Sequence, residues 1–183
     1  MGALLQNEAD ARITAAEYEQ MTAGMEKRME LLDGVIVAMG APSREHQRIA
    51  GHLFRTIEDF IQAHHGTCTV DQGAEALLNE YTLVIPDVMV VCDPSKLDSQ
   101  RCNGVPDWII EILSTNRRTD LIDKLHLYHE AGVREYWIVD PKKRVTLVYC
   151  FEQNDFPDMY TFDTPIPVGI YDKALTILME DLA

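Results

Sequence analysis

Two acidic residues lie within or directly beside apolar segments of the sequence. Asp87 follows Pro86 at the start of Val-Met-Val-Val-Cys, and Glu111 interrupts the run Trp-Ile-Ile-Glu-Ile-Leu. An ionised carboxylate is almost never fully buried unless it is paired or binds a metal. If the two runs form adjacent strands, the carboxylates converge in a site of hard oxygen ligands that suits Mg²⁺ or Mn²⁺. The alternative is that each acid lies at a strand end and meets water or a buried arginine.

The elements that must position these acids can be predicted from the apolar pattern. Residues 88–92, 108–113 and 135–140 form near-continuous apolar runs, which are typical of central strands covered on both faces. Residues 119–132 predict a helix, because they begin with a threonine cap and acids and end with glycine. Apolar residues at the helical period predict a second, longer helix over residues 45–64.

The remaining segments complete the predicted order of elements. Residues 14–22 begin with a capping box and predict a short helix, and Asp33-Gly34 between two apolar runs predicts a hairpin. Three further strands are expected within residues 67–84, whereas residues 152–167 are acidic and rich in proline and predict a loop. This order predicts an α/β (mixed α+β) fold with a mixed central sheet flanked by helices.

Composition predicts one soluble domain spanning residues 1–183. Hydrophobic residues make up 46% of the chain and charged residues 25%. No apolar run is long enough to cross a bilayer, and no basic, then apolar, leader opens the chain, so a cytoplasmic location is expected. No C-x-x-C pair is present, and free thiols are predicted for all four cysteines, Cys68, Cys92, Cys102 and Cys150.

The charge is strongly acidic but unevenly distributed. The net charge is −14, with 16 basic and 30 acidic residues, which predicts weak nonspecific binding to nucleic acid. Residues 101–150 are the exception, with 8 basic and 7 acidic side chains. An anionic substrate is therefore expected near this segment, where Arg117 and Arg118 either meet a phosphate or are simply exposed.

Six stretches in order carry a family resemblance: residues 30–34, 42–46, 85–91, 106–114, 120–128 and 131–141. Together they cover roughly residues 29–150, and the sequence resembles the Uma-two family of restriction endonucleases, a bacterial branch of the PD-(D/E)xK nuclease superfamily. The resemblance implies a restriction-endonuclease-like fold, metal-dependent hydrolysis of DNA phosphodiester bonds, and a homodimer.

The resemblance also implies roles for individual residues. Asp87, Glu111 and the backbone carbonyl of Ile112 would hold Mg²⁺ or Mn²⁺. The plain superfamily motif has a lysine two residues after the second acid, where this chain has Leu113. In the Uma-two branch the lysine lies on the following helix, and Lys124 is the matching residue. Lys124 would orient the attacking water or stabilise the developing charge.

Each of the other matching residues has a second interpretation. Lys124 could be a solvated helix lysine paired with Asp120. His46 matches a family position and would be a further catalytic residue, but a single helical histidine is also commonly a surface or packing residue. Glu30 matches as well and could simply flank the hairpin. Tyr128 is expected to pack between helix and sheet.

Two functions other than DNA cleavage fit the same residues. A non-catalytic interaction module of the same fold agrees with the acidic charge, which would steer DNA poorly. A metal-dependent hydrolase of a smaller phosphate ester would use the same acids. A basic rim around Glu111 would favour the nuclease, and an acidic rim would favour the interaction module.

Overall fold

The computed structural model describes residues 12–25, 28–114, 120–153 and 156–180. The helices in these residues are α1 (Ala15–Thr22), α2 (Arg44–Ala63) and α3 (Asp120–Ala131). The strands are β1 (Met29–Leu32), β2 (Val35–Ala38), β3 (Thr69–Gln72), β4 (Glu75–Asn79), β5 (Thr82–Val84), β6 (Val88–Val91), β7 (Arg101–Asn103), β8 (Trp108–Ile112), β9 (Glu135–Asp140), β10 (Val145–Cys150), β11 (Asp158–Thr161), β12 (Ile166–Pro167) and β13 (Thr176–Ile177). No helix within the described ranges has the length and apolar character needed to cross a bilayer.

The largest sheet has six strands in the order β11-β10-β9-β8-β6-β3. Strands β8 and β9 are parallel and are connected through α3, whereas the other pairs are antiparallel. The three predicted apolar runs occupy β6, β8 and β9, inside the sheet. The prediction of a mixed sheet with these central strands is therefore confirmed.

Alternate residues of β8 enter two separate cores. Trp108 and Ile110 pack in the core that α2 covers, and α2 contributes Leu53 to it. Ile109 points the other way and packs in the core that contains Tyr128 of α3. Both faces of the central strands are thus covered, which explains why β8 reads as a continuous apolar run.

A second sheet was not predicted as a separate layer. Its five strands follow the order β2-β1-β5-β4-β7. The hairpin of β1 and β2 turns at Asp33 and Gly34, which both have positive φ, as the predicted tight turn requires. The strands predicted within residues 67–84 are divided, because β3 joins the first sheet while β4 and β5 join the hairpin.

The predicted loop at residues 152–167 is wrong in part. Within it β11 pairs antiparallel with β10 as an edge strand, and β12 pairs with β13. An edge strand with mostly exposed residues lacks the apolar alternation that identifies a half-buried strand, so its pattern resembles a loop.

The prediction of four free thiols is also wrong. Cys68 and Cys92 form a disulfide, whereas Cys102 and Cys150 are free. The register pairs Thr69 with Val91, so the two bonded cysteines occupy the next opposed positions. Their separation of 24 residues has no motif that could reveal the pairing.

Candidate active site

Asp87 lies where the ladder between β6 and β8 ends. Val88 pairs with Ile110, and Asp87 therefore lies just beyond the last backbone pair. The backbone N–H of Ile112 donates to Asp87 Oδ2 at 2.7 Å. Pro86 precedes Asp87 and has no N–H with which to continue the ladder. The carboxylate thus provides the acceptor for an N–H at the open end of β8.

His46 approaches the same carboxylate from the other side. It lies in the first turn of α2, where Ser43 Oγ caps the helix by accepting the His46 N–H. His46 Nε2 is 2.9 Å from Asp87 Oδ2. His46 is 8% exposed as a residue, and its Nδ1 is buried without a partner among the described residues. The structure thus brings His46 to Asp87, whereas its role as a catalytic residue remains a prediction.

Lys124 joins two buried carboxylates. Its ammonium group donates to Glu111 Oε1 and to Glu30 Oε1, at 2.8 Å in each case. The residue is 3% exposed, so the interpretation of Lys124 as a solvated helix lysine is wrong. Glu30 comes from β1 of the second sheet, and its Oε1 also accepts the backbone N–H of Ile85 at 2.8 Å.

Tyr128 has a polar role in addition to the predicted packing role. Its hydroxyl donates to Glu111 Oε1 at 2.8 Å. Tyr128 follows Lys124 by four residues on α3, so both side chains lie on the same face of the helix. This spacing was the available sequence signal for Tyr128. For Glu30 the family match was a signal, but nothing in the sequence showed that its partner is Lys124.

Burial and neighbouring charges shift the pKa values of this cluster. Burial raises the pKa of Glu111 to about 7; the charges of Asp87 and Glu30 act in the same direction, and Lys124 opposes them. Burial lowers the pKa of Lys124, but Glu111 and Glu30 outweigh it and raise that pKa to about 12. Burial, followed by the charge of Glu111, raises the pKa of Tyr128 well above its usual value. Lys124 therefore remains a cation while Glu111 is easily protonated.

The oxygen donors at this strand end are of the type that hard divalent cations take as ligands. Among the described residues, the hydrogen bonds of the two acids use Asp87 Oδ2 and Glu111 Oε1, and leave Oδ1 and Oε2 open. The carbonyl of Ile112 adds a third oxygen of the kind that Mg²⁺ prefers. With Glu30, three carboxylates face one lysine, so a cation would balance the remaining charge. Within the described part of the chain, no three His, Cys, Asp or Glu side chains form a metal-binding group, so the set relies on the backbone carbonyl.

A cavity of about 780 Å³ lies against the second sheet, and its lining includes none of Asp87, Glu111, Lys124 and Glu30. It is lined by Arg28 and Met29, which precede Glu30, and by Ile85. Arg28 donates to the carbonyl of Gly73, and the N–H of Gly73 donates to the backbone carbonyl of Asp87. Arg117 and Arg118, considered above as phosphate contacts, lie outside the described residues.

Comparison with a solved structure supports the fold. A protein from Anabaena variabilis, described as a putative nuclease, superimposes with a TM-score of 0.77 over 93% of this chain and 97% of its own. The two sequences are 20% identical, so this likeness shows that the two proteins share a fold.

Sequence comparison identifies the family. The family model described as "Putative restriction endonuclease" (Uma2) matches residues 15–164, and the chain belongs to this family. The resemblance noted from the sequence is thus confirmed. Two uncharacterized proteins of Synechocystis, slr1290 and sll1609, are each 27% identical over 132 residues. The matches span 70% of this chain, 68% of the first relative and 75% of the second.

Proposed function

We propose that this protein is a metal-dependent endonuclease that hydrolyses phosphodiester bonds of DNA. The observation that carries the proposal is the buried contact of Lys124 with Glu111, at the strand end where Asp87 accepts the Ile112 N–H. Two acids and a backbone carbonyl can hold a divalent cation, and a lysine beside them can stabilise negative charge, so these groups suit metal-assisted phosphodiester hydrolysis. Membership of a family described as restriction endonucleases supports the same reaction.

Asp87, Glu111 and the carbonyl of Ile112 would hold Mg²⁺ or Mn²⁺. A divalent cation there would lower the pKa of a water molecule and stabilise negative charge on the phosphate. His46 and the Ile112 N–H both engage Asp87 Oδ2, which fixes the carboxylate and leaves Oδ1 for the cation. His46 is therefore proposed to be a positioning residue.

Lys124 would act directly on the reacting groups. Its ammonium has three N–H donors, of which two reach Glu111 and Glu30. The third can orient the attacking water or contact a phosphate oxygen as negative charge develops. The water oxygen would form a bond to phosphorus and lose a proton to solvent, while the bond from phosphorus to the leaving oxygen breaks and that oxygen takes up a proton from solvent.

Glu30 would keep Lys124 in place during the reaction. When Glu111 takes part in binding a cation, its attraction for Lys124 weakens. Glu30 is 2% exposed and is itself held by the Ile85 N–H, so it remains as a fixed counter-ion. The proposed site thus includes a residue from the second sheet.

The test is cleavage of supercoiled plasmid and of linear duplex DNA in Mg²⁺ or Mn²⁺. We expect the wild type to cleave, and Asp87→Asn, Glu111→Gln and Lys124→Met to lose cleavage. Lys96→Met is the matched control, because Lys96 donates to the Val105 carbonyl near the opposite end of β8. Cleavage at the wild-type rate by the Asp87 and Lys124 variants would refute the proposal.

The acidic net charge of −14 favours one alternative, a hydrolase of smaller phosphate esters. Bis(p-nitrophenyl) phosphate, a small diester, distinguishes the two activities. Metal-dependent hydrolysis of this compound without DNA cleavage would support the alternative. Absence of both activities, with folding intact, would favour the interaction module.

We also propose a symmetric homodimer located in the cytoplasm. Cleavage of both strands of a duplex is readily achieved by two sites, and two-fold dimers are the commonest oligomers. A cytoplasmic location would require the Cys68–Cys92 disulfide to be reduced, since disulfides rarely persist in that compartment. Sedimentation as a monomer at micromolar concentration would contradict the dimer.

A further inference from the structure

Most lysine and arginine side chains of this acidic protein are already engaged within the described ranges. Examples are Arg12 with Asp33, and Arg101 with Glu19. Five basic side chains have no partner among the described residues: Arg44, Arg48, Lys142, Lys143 and Lys173. These five are the cations available to an external anion.

Two of the five lie beside His46 on α2. Arg44 is the first residue of the helix, and Arg48 follows it by one turn, so both occupy the same exposed side. His46, between them in sequence, points inward to Asp87 at 2.9 Å. The start of α2 therefore presents two unpaired guanidinium groups next to the proposed site.

Two more lie in the turn between β9 and β10. Strand β9 runs parallel to β8, with Val139 opposite Ile112, and the N–H of Leu113 donates to the Val139 carbonyl at 2.8 Å. The C-terminal ends of β8 and β9 therefore lie side by side, and the turn that follows β9 lies next to the end of β8. Lys142 and Lys143 are both exposed there.

Cations outnumber acids in the two segments that carry these side chains. Residues 44–48 and 140–143 contain the four cations and two acids, Glu45 and Asp140, and Asp140 also accepts the N–H of Lys143. The fifth unpaired cation, Lys173, lies near Cys150, which pairs with Glu135 at the start of β9. Lys173 is thus at the opposite edge of the sheet.

We propose that Arg44, Arg48, Lys142 and Lys143 form a cationic rim that binds the phosphate backbone of duplex DNA on both sides of the active site. This inference rests on the proposed nuclease function and identifies its substrate contacts. Nucleic-acid affinity is dominated by phosphate neutralisation and counterion release. A protein with a charge of −14 repels DNA over most of its surface, so cations grouped at one edge direct the duplex to that edge.

The experiment measures binding of a fluorescent 30-base-pair duplex by anisotropy, in EDTA so that cleavage cannot occur, over a series of salt concentrations. We compare the wild type with two double variants, Arg44→Gln/Arg48→Gln and Lys142→Gln/Lys143→Gln. Each lost phosphate contact should reduce the slope of log K against log salt by about 0.9. The quadruple variant should bind roughly tenfold or more weakly at low salt.

The matched control is Lys96→Gln/Lys173→Gln, which removes the same charge away from the rim. Lys96 donates to the Val105 carbonyl, near the end of β8 opposite the rim. The control should keep most of the wild-type slope of log K against log salt. The rim would be overturned if the control and rim variants lost equal amounts of DNA affinity, or if the quadruple variant bound DNA as tightly as the wild type. It would also be overturned if the wild type did not bind DNA.

The cleavage assay separates this inference from the proposed function. A wild type that binds through the rim but does not cleave any DNA with Mg²⁺ or Mn²⁺ would refute the nuclease and leave the rim intact. A wild type that cleaves, with rim variants that bind as tightly as the wild type, would refute the rim alone.

Discussion

The ammonium group of Lys124 lies 2.8 Å from Glu111 Oε1, although the two residues belong to α3 and β8. In the plain nuclease motif the lysine follows the acid on the same strand, where this chain has Leu113. The long, flexible lysine side chain allows the charge to reach the same carboxylate from a neighbouring helix. A lysine on the helix can therefore place an ammonium group beside Glu111, which Leu113 at the strand position cannot do.

Addition of Mn²⁺ should raise the unfolding temperature of the wild type. At a metal concentration 100 times the dissociation constant, binding to the folded state contributes about 2.7 kcal/mol. Asp87→Ala should abolish the increase, because Asp87 would provide one of the ligands. Asp107→Ala is the control, since Asp107 accepts the Cys92 N–H at the other end of β8. An equal response in the Asp87 variant would exclude Asp87 as a ligand.

Lys124→Met should reduce the free energy of unfolding by about 3–5 kcal/mol without metal, because it leaves two buried carboxylates unpaired. Mn²⁺ should recover part of this loss, while cleavage stays at least about 100-fold below wild type. Chemical denaturation with and without Mn²⁺ measures the first effect. Stability equal to that of the wild type would show that the two contacts contribute nothing.

Glu30→Gln should weaken metal binding although Glu30 is not a proposed ligand. The amide oxygen can still accept from Ile85 and Lys124, so the variant removes charge and retains the hydrogen bonds. Lys124 is then held mainly by Glu111 and competes with the cation. We expect the variant to need a roughly tenfold higher Mn²⁺ concentration than the wild type for half-maximal thermal stabilisation, because it has lost one negative charge that attracts the cation. Unchanged or tighter metal binding would exclude the counter-ion role.

The stability of the metal-free protein should fall as the pH rises from about 4.5 to about 7. Burial raises the folded-state pKa of Glu111 to about 7, whereas the unfolded value is near 4.5. A raised carboxyl pKa stabilises the folded state below the unfolded pKa, and this contribution is lost as the pH passes the folded pKa. The maximum difference is about 3 kcal/mol. Glu111→Gln should show a smaller pH dependence in denaturation; an identical dependence would assign the effect to other groups.

Reduction of the disulfide should destabilise the fold without changing the proposed site. Closing a loop between Cys68 and Cys92 contributes about 3 kcal/mol in chain-entropy terms. The bond lies at the end of β6 opposite Asp87. Reducing agent should lower the unfolding temperature of the wild type but not that of Cys68→Ser/Cys92→Ser. The Mn²⁺ response should persist in both proteins.

Local sequence patterns determined most of the secondary structure. The apolar runs predicted β6, β8 and β9 because strands covered on both faces need apolar residues throughout. Caps and helical periodicity predicted α1, α2 and α3, and Asp33-Gly34 predicted the hairpin turn. The acids in apolar runs and the family motifs singled out Asp87, Glu111, Lys124 and His46.

Tertiary structure alone decided which distant residues meet. Glu30 and Lys124 are 94 positions apart, and they touch because β1 of one sheet faces α3 on the other. Strand order also decides how β3, β4 and β5 are divided between the two sheets. It likewise decides that Cys68 pairs with Cys92. The proposed cationic rim depends on the His46 contact with Asp87, which places Arg44 and Arg48, and on the parallel register of β8 and β9, which places Lys142 and Lys143. Periodicity and capping act over a few residues, whereas these contacts depend on how the completed layers pack.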